Sequence, residues 1–394
     1  MESDANKFFD VRVPTTIVEE LRVGIIGVGL KGGDPRYLEG GAESFFGHLQ
    51  ALESIVEEGV FGESFEVKLA AFGDVDPGVL ERVGRRHPGA HLSTECFDLL
   101  DDGLVDAVWI ATPTAFHKEY ALRAFRRGIH AFVEKPVAFT LDDVDELVRE
   151  RDRAGVVCQV GLAGRHLPLV PYLAALYRRK RGAWGRLMNV VFRDEQEKPY
   201  LDKPLHPSTW RKDASLARAG VLFEHSCHDL DALSFLFGDV VEVYGKVNYY
   251  AGHEGIEDSV SGVLTLANGA TVTVSAVWTD VEHDERLVEA YFENAFIKLR
   301  YGVDGLDFQL VERGRERRPA KLDAMVVMAE FLTWMGFPSL RPTPADPTRF
   351  ADVAFLDAIA RGKPASPSLE DARRVQRVVE AVYESSRNGC PVRP

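Results

Sequence analysis

Short apolar runs alternate with amphipathic stretches through the first part of the chain. The runs Leu21–Ile26, Val67–Asp74, Val105–Ala111, Ile129–Val133 and Val156–Val160 read as strands. Between them, Val79–Arg86 and Glu119–Arg127 read as helices, which is the βαβ rhythm of a doubly wound parallel sheet. Beyond Val160 the pattern changes to longer alternating segments: Leu187–Arg193, Val240–Tyr250, Val260–Ala267, Ala270–Trp278, Leu287–Phe292 and Ala295–Tyr301. Asn268-Gly269 is a strong hairpin turn between two of these, so the second part predicts a largely antiparallel sheet.

A chain of 394 residues is too long for one comfortable hydrophobic core. With 45% hydrophobic and 27% charged residues it has the composition of a folded globular protein, and no apolar run reaches membrane-spanning length. Its amino terminus, acidic where a secretory leader is basic, points to the cytoplasm. A formal net charge of −14 disfavours nucleic acid or an anionic membrane surface as the main partner, because both need a concentrated cationic footprint. The cysteines Cys96, Cys158, Cys227 and Cys390 stand far apart, indicating neither a disulfide framework nor a thiolate zinc site.

Strand Leu21–Ile26 breaks at once into Gly27-Val28-Gly29-Leu30-Lys31-Gly32. In this G-x-G-x-x-G pattern the first glycine permits a tight turn, the second lets backbone approach a pyrophosphate, and the third allows close helix packing. The next strand ends in Asp74, where the ribose hydroxyls of the adenosine half belong; an acid there repels a 2′-phosphate and favours NAD over NADP. The interval from Gly32 to Asp74 exceeds the usual spacing of about 20 residues, which predicts an insertion, Gly33–Ser44, beside the phosphate site. The expected architecture is an α/β Rossmann dinucleotide-binding domain over 1–156, then an α+β domain over 157–394. The second domain carries a large, mostly antiparallel open sheet, with C-terminal helices packing back on the first.

Ligands of such sheets bind at the carboxyl ends of the strands, which puts Thr112, Pro113, Glu134, Lys135 and Pro136 on the cofactor side. Lys135 follows a buried strand; partial desolvation would lower its pKa from about 10.4 and suit it to proton transfer with a hydroxyl. A second candidate cluster is Glu224, His225 and His228 at the entrance of a helix whose Leu230, Leu233 and Leu236 face inward and whose Gly238 ends it. Three readings of that cluster stay open. It can be helix-start chemistry around Asp229, a metal site of Glu224, His225, Cys227 and His228 without a known zinc spacing, or proton transfer and substrate binding. The polar loop Arg193–Lys212, with Tyr200, His206, Trp210 and Arg211, offers residues suited to stacking on and hydrogen-bonding a sugar.

With these pieces in order, the chain resembles the Gfo/Idh/MocA family, the glucose-fructose oxidoreductase and inositol dehydrogenase group, from about Leu21 to the carboxyl end. The likeness rests on the glycine turn, Asp74-Val-Asp76-Pro77, Ala111-Thr-Pro113 with His117, Glu134-Lys135-Pro136, Gly161-x-x-x-Arg165, Gly220–Asp231 and Phe355-Leu-Asp357-Ala-Ile359. It implies NAD as cofactor, held by Gly27, Gly29, Leu30, Gly32, Asp74, Thr112, Pro113, His117, Glu134 and Lys135. It further implies that Lys135 contacts the reacting hydroxyl, that Pro136 follows a cis peptide bond, and that His228 is the catalytic or substrate-binding histidine. Glu224 stands where many members have Asp, and His225 departs from the commonest pattern. Arg165, Trp210, Arg211, His225 and His228 are the expected substrate contacts, with Lys135, His228 and Glu224 the catalytic set and no metal. The expected activity is NAD-dependent oxidation of a secondary hydroxyl of a sugar, sugar derivative or cyclitol by a homodimer or homotetramer. An NADPH-dependent keto-sugar reductase and a non-catalytic NAD-binding sensor are the alternatives.

Overall fold

Six parallel strands form the first sheet of the computed structural model, which describes residues 19–29, 47–62, 64–101, 103–201, 208–281, 283–302, 305–314, 323–340 and 347–394. The strands are β1 (Glu20–Ile26), β2 (Glu66–Gly73), β3 (His91–Ser93), β4 (Ala107–Ile110), β5 (His130–Val133) and β6 (Cys158–Val160), in the order β3-β2-β1-β4-β5-β6. The order reverses between β1 and β4, so a crevice opens there at the carboxyl ends of the strands. All of β4 is buried because both faces are covered. Val108 and Ile110 join a core with Ala121, Phe125, Val144 and Leu147 on one side. On the other, Ala107 and Trp109 pack with Leu49, Leu52, Phe350 and Phe355.

Phe350 and Phe355 belong to the helix Pro347–Ala360, so a segment near the carboxyl end closes the first sheet. β6 also belongs to that sheet, although it begins two residues past the boundary expected at 156. The expected insertion Gly33–Ser44 lies outside the described residues.

The second sheet has seven strands: β7 (Leu187–Glu197), β8 (Val240–Asn248), β9 (Ser259–Leu266), β10 (Thr271–Thr279), β11 (Asp284–Phe292), β12 (Ala295–Gly302) and β13 (Gly305–Glu312). They run β13-β12-β11-β7-β10-β9-β8, antiparallel at every pairing except β7 with β10. Asn268-Gly269 turns β9 into β10, with Gly269 at φ +85° and the Asn268 side chain accepting from the Ala270 amide (3.0 Å). β13 was not expected from the sequence.

Helix Leu169–Trp184, also unexpected, and helix Cys227–Phe237 pack Leu173, Leu230 and Leu233 against Val190, Phe192 and Val272 of this sheet. Gly238, at φ +104°, ends the second helix. The long helix Leu369–Asn388 docks on β8, where the Gly245 and Val247 amides donate to Ser385 and Ser386. Among the described residues no helix is long and apolar enough to cross a membrane.

Candidate active site

The turn after β1 is built for close approach. Gly27 has φ +86°, and a Cβ there would lie 2.8 Å from the carbonyl of Ala111 at the end of β4. Asp74 reaches into the same turn: it is buried, its carboxylate accepts from the Asp76 amide (3.0 Å), and the Gly29 and Val28 amides also bond to it. Burial raises its pKa, with the amides opposing. The acid therefore sits against the glycine turn, as a ribose-binding acid must. Leu30 and Gly32 lie outside the described residues.

Across the crevice, the loop after β4 carries Thr112 and Pro113. The Thr112 hydroxyl is buried and has no hydrogen-bond partner among the described residues, so it offers a polar contact to a bound cofactor. Together with the glycine turn and Asp74, it shows that the residues present fit a dinucleotide. His117, expected at the cofactor, is instead an internal strap. It is 1% exposed, with Nδ1 2.7 Å from the Pro136 carbonyl and Nε2 2.7 Å from that of Thr112. Burial lowers its pKa, and the ring is wedged between the two loops, where a neutral imidazole donates to one of these carbonyls at a time.

The Lys135–Pro136 peptide is cis. Lys135 is half-buried, and its Nζ donates to the backbone carbonyl of Glu224, bridging the edge of the first sheet to the second domain. Burial lowers its pKa, and the Arg211 charge acts in the same direction. Glu134 places one carboxylate oxygen on the Lys135 amide (3.1 Å) and the other on His48 Nε2 (3.1 Å). Gly161 leaves room for that carboxylate, since a Cβ there would stand 2.8 Å from it.

Glu224 corrects an expectation. Its carboxylate is fully buried; one oxygen accepts from the Thr114 hydroxyl (2.7 Å) and the other from Arg211 Nε (3.2 Å). Burial raises its pKa, with Arg211 opposing. With both oxygens engaged, this member of the expected catalytic set ties Thr114 to Arg211 in the wall of the crevice. Arg211 in turn lies over the Trp210 ring, 4.6 Å from its centroid, so these two neighbours form one rigid patch.

His225 is likewise engaged. Nδ1 lies 3.0 Å from the Asp194 carboxylate and Nε2 2.8 Å from Arg286, so the ring donates to the acid and accepts from the guanidinium. That tautomer is neutral, in keeping with a pKa pushed down to about 4 by burial and Arg286. Arg286 also donates to Asp229 (3.3 Å), which accepts from Tyr301 as well (3.0 Å). Burial raises the pKa of Asp229, and the neighbouring Asp194 adds to the shift. Asp194, His225 and Asp229 have ligand atoms close enough together to hold a metal ion. Arg286 already bonds to His225 and Asp229 and lies 3.7 Å from Asp194, so the cation in this cluster is a guanidinium. His228, half-buried, stands next in the chain, its backbone carbonyl against Gly164.

Arg165 does not join the site. It is buried and donates to both oxygens of Asp231 (2.7 and 2.6 Å) and to Asp371 (3.1 Å), tying helices Cys227–Phe237 and Leu369–Asn388 together. Sequence reasoning missed Thr114, His48, Asp352, Asp194, Arg286 and Tyr301. Only Thr114 had a nearby signal, the Thr-Pro motif it follows; the others are joined by strand register and helix packing.

The chain belongs to the Gfo/Idh/MocA oxidoreductase family. The family's NAD-binding Rossmann domain matches residues 21–162 and its C-terminal domain residues 172–298. Similar proteins include a 1,5-anhydro-D-fructose reductase of Ensifer adhaerens, 33% identical over 180 residues, which are 45% of this chain and 51% of that protein. A levoglucosan dehydrogenase of Pseudarthrobacter phenanthrenivorans is 25% identical over 349 residues, 79% of this chain and 86% of that protein. The first of these matches thus spans about half the relative's length. A solved levoglucosan dehydrogenase complex with NADH and levoglucosan shares the fold, with TM-score 0.72 and 21% identity over 95% of this chain and 99% of that one.

Proposed function

We propose that this chain is an NAD-dependent dehydrogenase that oxidises a secondary hydroxyl of a sugar, sugar derivative or cyclitol, reversibly, with Lys135 and His228 carrying the proton. The carrying observation is the half-buried bridge from Lys135 Nζ to the Glu224 carbonyl, which sets a lysine of lowered pKa at the mouth of the crevice beside the segment leading to His228. NAD would be held by Gly27, Gly29, Asp74 and Thr112 and would supply the hydride acceptor. The neutral Lys135 amine accepts the hydroxyl proton as the carbinol C–H is lost as hydride, so the carbinol becomes a ketone and the lysine an ammonium. Trp210 and Arg211 offer a flat, cationic wall for the ring and hydroxyls of the substrate. The similar 1,5-anhydro-D-fructose reductase and levoglucosan dehydrogenase support this choice of substrate class. Homodimers or homotetramers through the second sheet are part of the proposal; its outer surface exposes Met188, Tyr244, Val263 and Tyr291.

The test is NADH formation on levoglucosan, 1,5-anhydro-D-glucitol, D-xylose and scyllo-inositol, with product analysis to locate the new carbonyl. Hydride transfer to NAD that disappears in Lys135→Ala supports the reading. Turnover that survives in Lys135→Ala overturns it.

A further inference from the structure

Behind Glu134 lies a buried polar chain that reaches the far end of the sequence. His48 opens the helix His48–Glu57 and is 1% exposed. Its Nδ1 faces the Asp352 carboxylate at 2.9 and 3.1 Å, and its Nε2 faces Glu134 Oε1 at 3.1 Å. Asp352, fully buried on the helix Pro347–Ala360, also accepts from Trp109 Nε1 (2.9 Å). The ring packs edge-on to Phe132, with centroids 4.8 Å apart. A carboxylate at each ring nitrogen requires both nitrogens to donate, and a histidine that donates from both is an imidazolium. The charge also meets a physical need, since two buried carboxylates aimed at one point are costly without a cation between them.

We propose that His48 is a positioning residue for Lys135. Clamped as an imidazolium between Asp352 and Glu134, it fixes the Glu134 carboxylate against the Lys135 amide and thereby sets where the lysine side chain enters the site. The arrangement explains why Glu134 is buried: its oxygens connect the helix pair of His48 and Asp352 to the peptide that carries Lys135. It also gives Gly161 a task, because any side chain there would displace the Glu134 carboxylate. The pKa of His48 is raised to about 9, where the two acids outweigh a large burial penalty.

This inference rests on Lys135 being the proton carrier, and the experiment separates the two. In protein labelled with ¹⁵N-histidine, the His48 ring signals, identified by their loss in His48→Gln, should show both nitrogens protonated at pH 7.5. A neutral ring there overturns the clamp whatever the enzyme does. On the fastest substrate of the panel above, His48→Gln should lower kcat by about tenfold to a hundredfold, with the affinity for NAD and the KM little changed, the scale expected when a reacting group is misplaced by about 1 Å. Gly161→Ala, which removes no polar group and needs no positive φ, should lower kcat in the same sense. If His48→Gln does not fold, Gly161→Ala and the ring signals in Asp352→Asn decide. Loss of the doubly protonated state in Asp352→Asn supports the proposal, and its persistence with wild-type kcat in Gly161→Ala overturns it. Wild-type kcat in a folded His48→Gln, with Lys135→Ala inactive, removes His48 from the argument and leaves the lysine in place.

Discussion

Two histidines, at two edges of the same site, have similar first neighbours and opposite chemistry. His48, at the carboxyl edge of the parallel sheet, has a carboxylate 2.9 Å from Nδ1; His225, over the antiparallel sheet, has one at 3.0 Å from Nδ1. Yet the pKa of His48 is pushed up to about 9 and that of His225 down to about 4. Burial opposes the charged form of both rings, and in His225 it wins because the second nitrogen meets Arg286 (2.8 Å) where in His48 it meets Glu134 (3.1 Å). One cationic ring therefore braces the lysine edge, and one neutral ring is fixed between Asp194 and Arg286 of the antiparallel sheet. The second neighbour decides whether a buried histidine is a charge or a fixed dipole.

The strongest way to break this contrast is Arg286→Ala. It leaves Asp194 and Asp229 buried without their shared cation and should cost about 3–5 kcal/mol of stability, the usual scale for removing one partner of a buried ion pair. Urea unfolding measures it, and a loss under about 1 kcal/mol would mean that the cluster is not held by that charge. Lys135→Ala should lower turnover by roughly a hundredfold or more while NAD titration stays nearly unchanged. Combined with His228→Ala, the penalties should not add, and the wild-type oxidation rate should rise with pH as a lysine of lowered pKa loses its proton.

The histidines themselves give opposite signs in stability against pH. The raised pKa of His48 means that its contribution is fully present below about pH 6.5 and is lost as pH climbs toward 9. The lowered pKa of His225 means that the unfolded chain binds the proton first, so stability falls as pH drops from about 6.5 to 4. Urea midpoints across pH 4–9 should therefore lose their alkaline slope in His48→Gln and their acid slope in His225→Gln; parallel curves for wild type and both variants would remove the distinction. The smallest effect is at the outer end of the crevice. Asp74→Ser should shift the preference for NAD over NADP by about tenfold toward NADP, since it removes a charge that repels a 2′-phosphate. Calorimetry on both nucleotides checks it, and a wild type that binds NADP more tightly reverses the assignment.

Much of the first domain was legible because its signals are local. A strand, a turn that only glycine can make, and an acid at the next strand end are read within a few residues each. Gly27 at φ +86° and Asp74 against the turn stand where that reading put them. Lys135 was singled out for the same reason, as the residue after a buried strand at the ligand edge of a parallel sheet. The hairpin at Asn268-Gly269 and the helix closed by Gly238 follow equally from short-range chemistry.

The roles of the polar residues were decided only in three dimensions. Asp194, Arg286 and Tyr301 meet because β7, β11 and β12 pair with these residues in register, and nothing near any of them in the chain says so. Glu224 and His225 were expected as a catalytic acid and a substrate contact, and the fold instead engages them with Thr114, Arg211, Asp194 and Arg286. Arg165, expected to meet substrate, is instead held by Asp231 and Asp371. His48 acquires its charge from Asp352, some three hundred residues away, through the packing of one helix on another. Local backbone geometry is encoded by short stretches of sequence, whereas the state of a buried ionisable group is set by whichever charges the fold brings within about 4 Å of it.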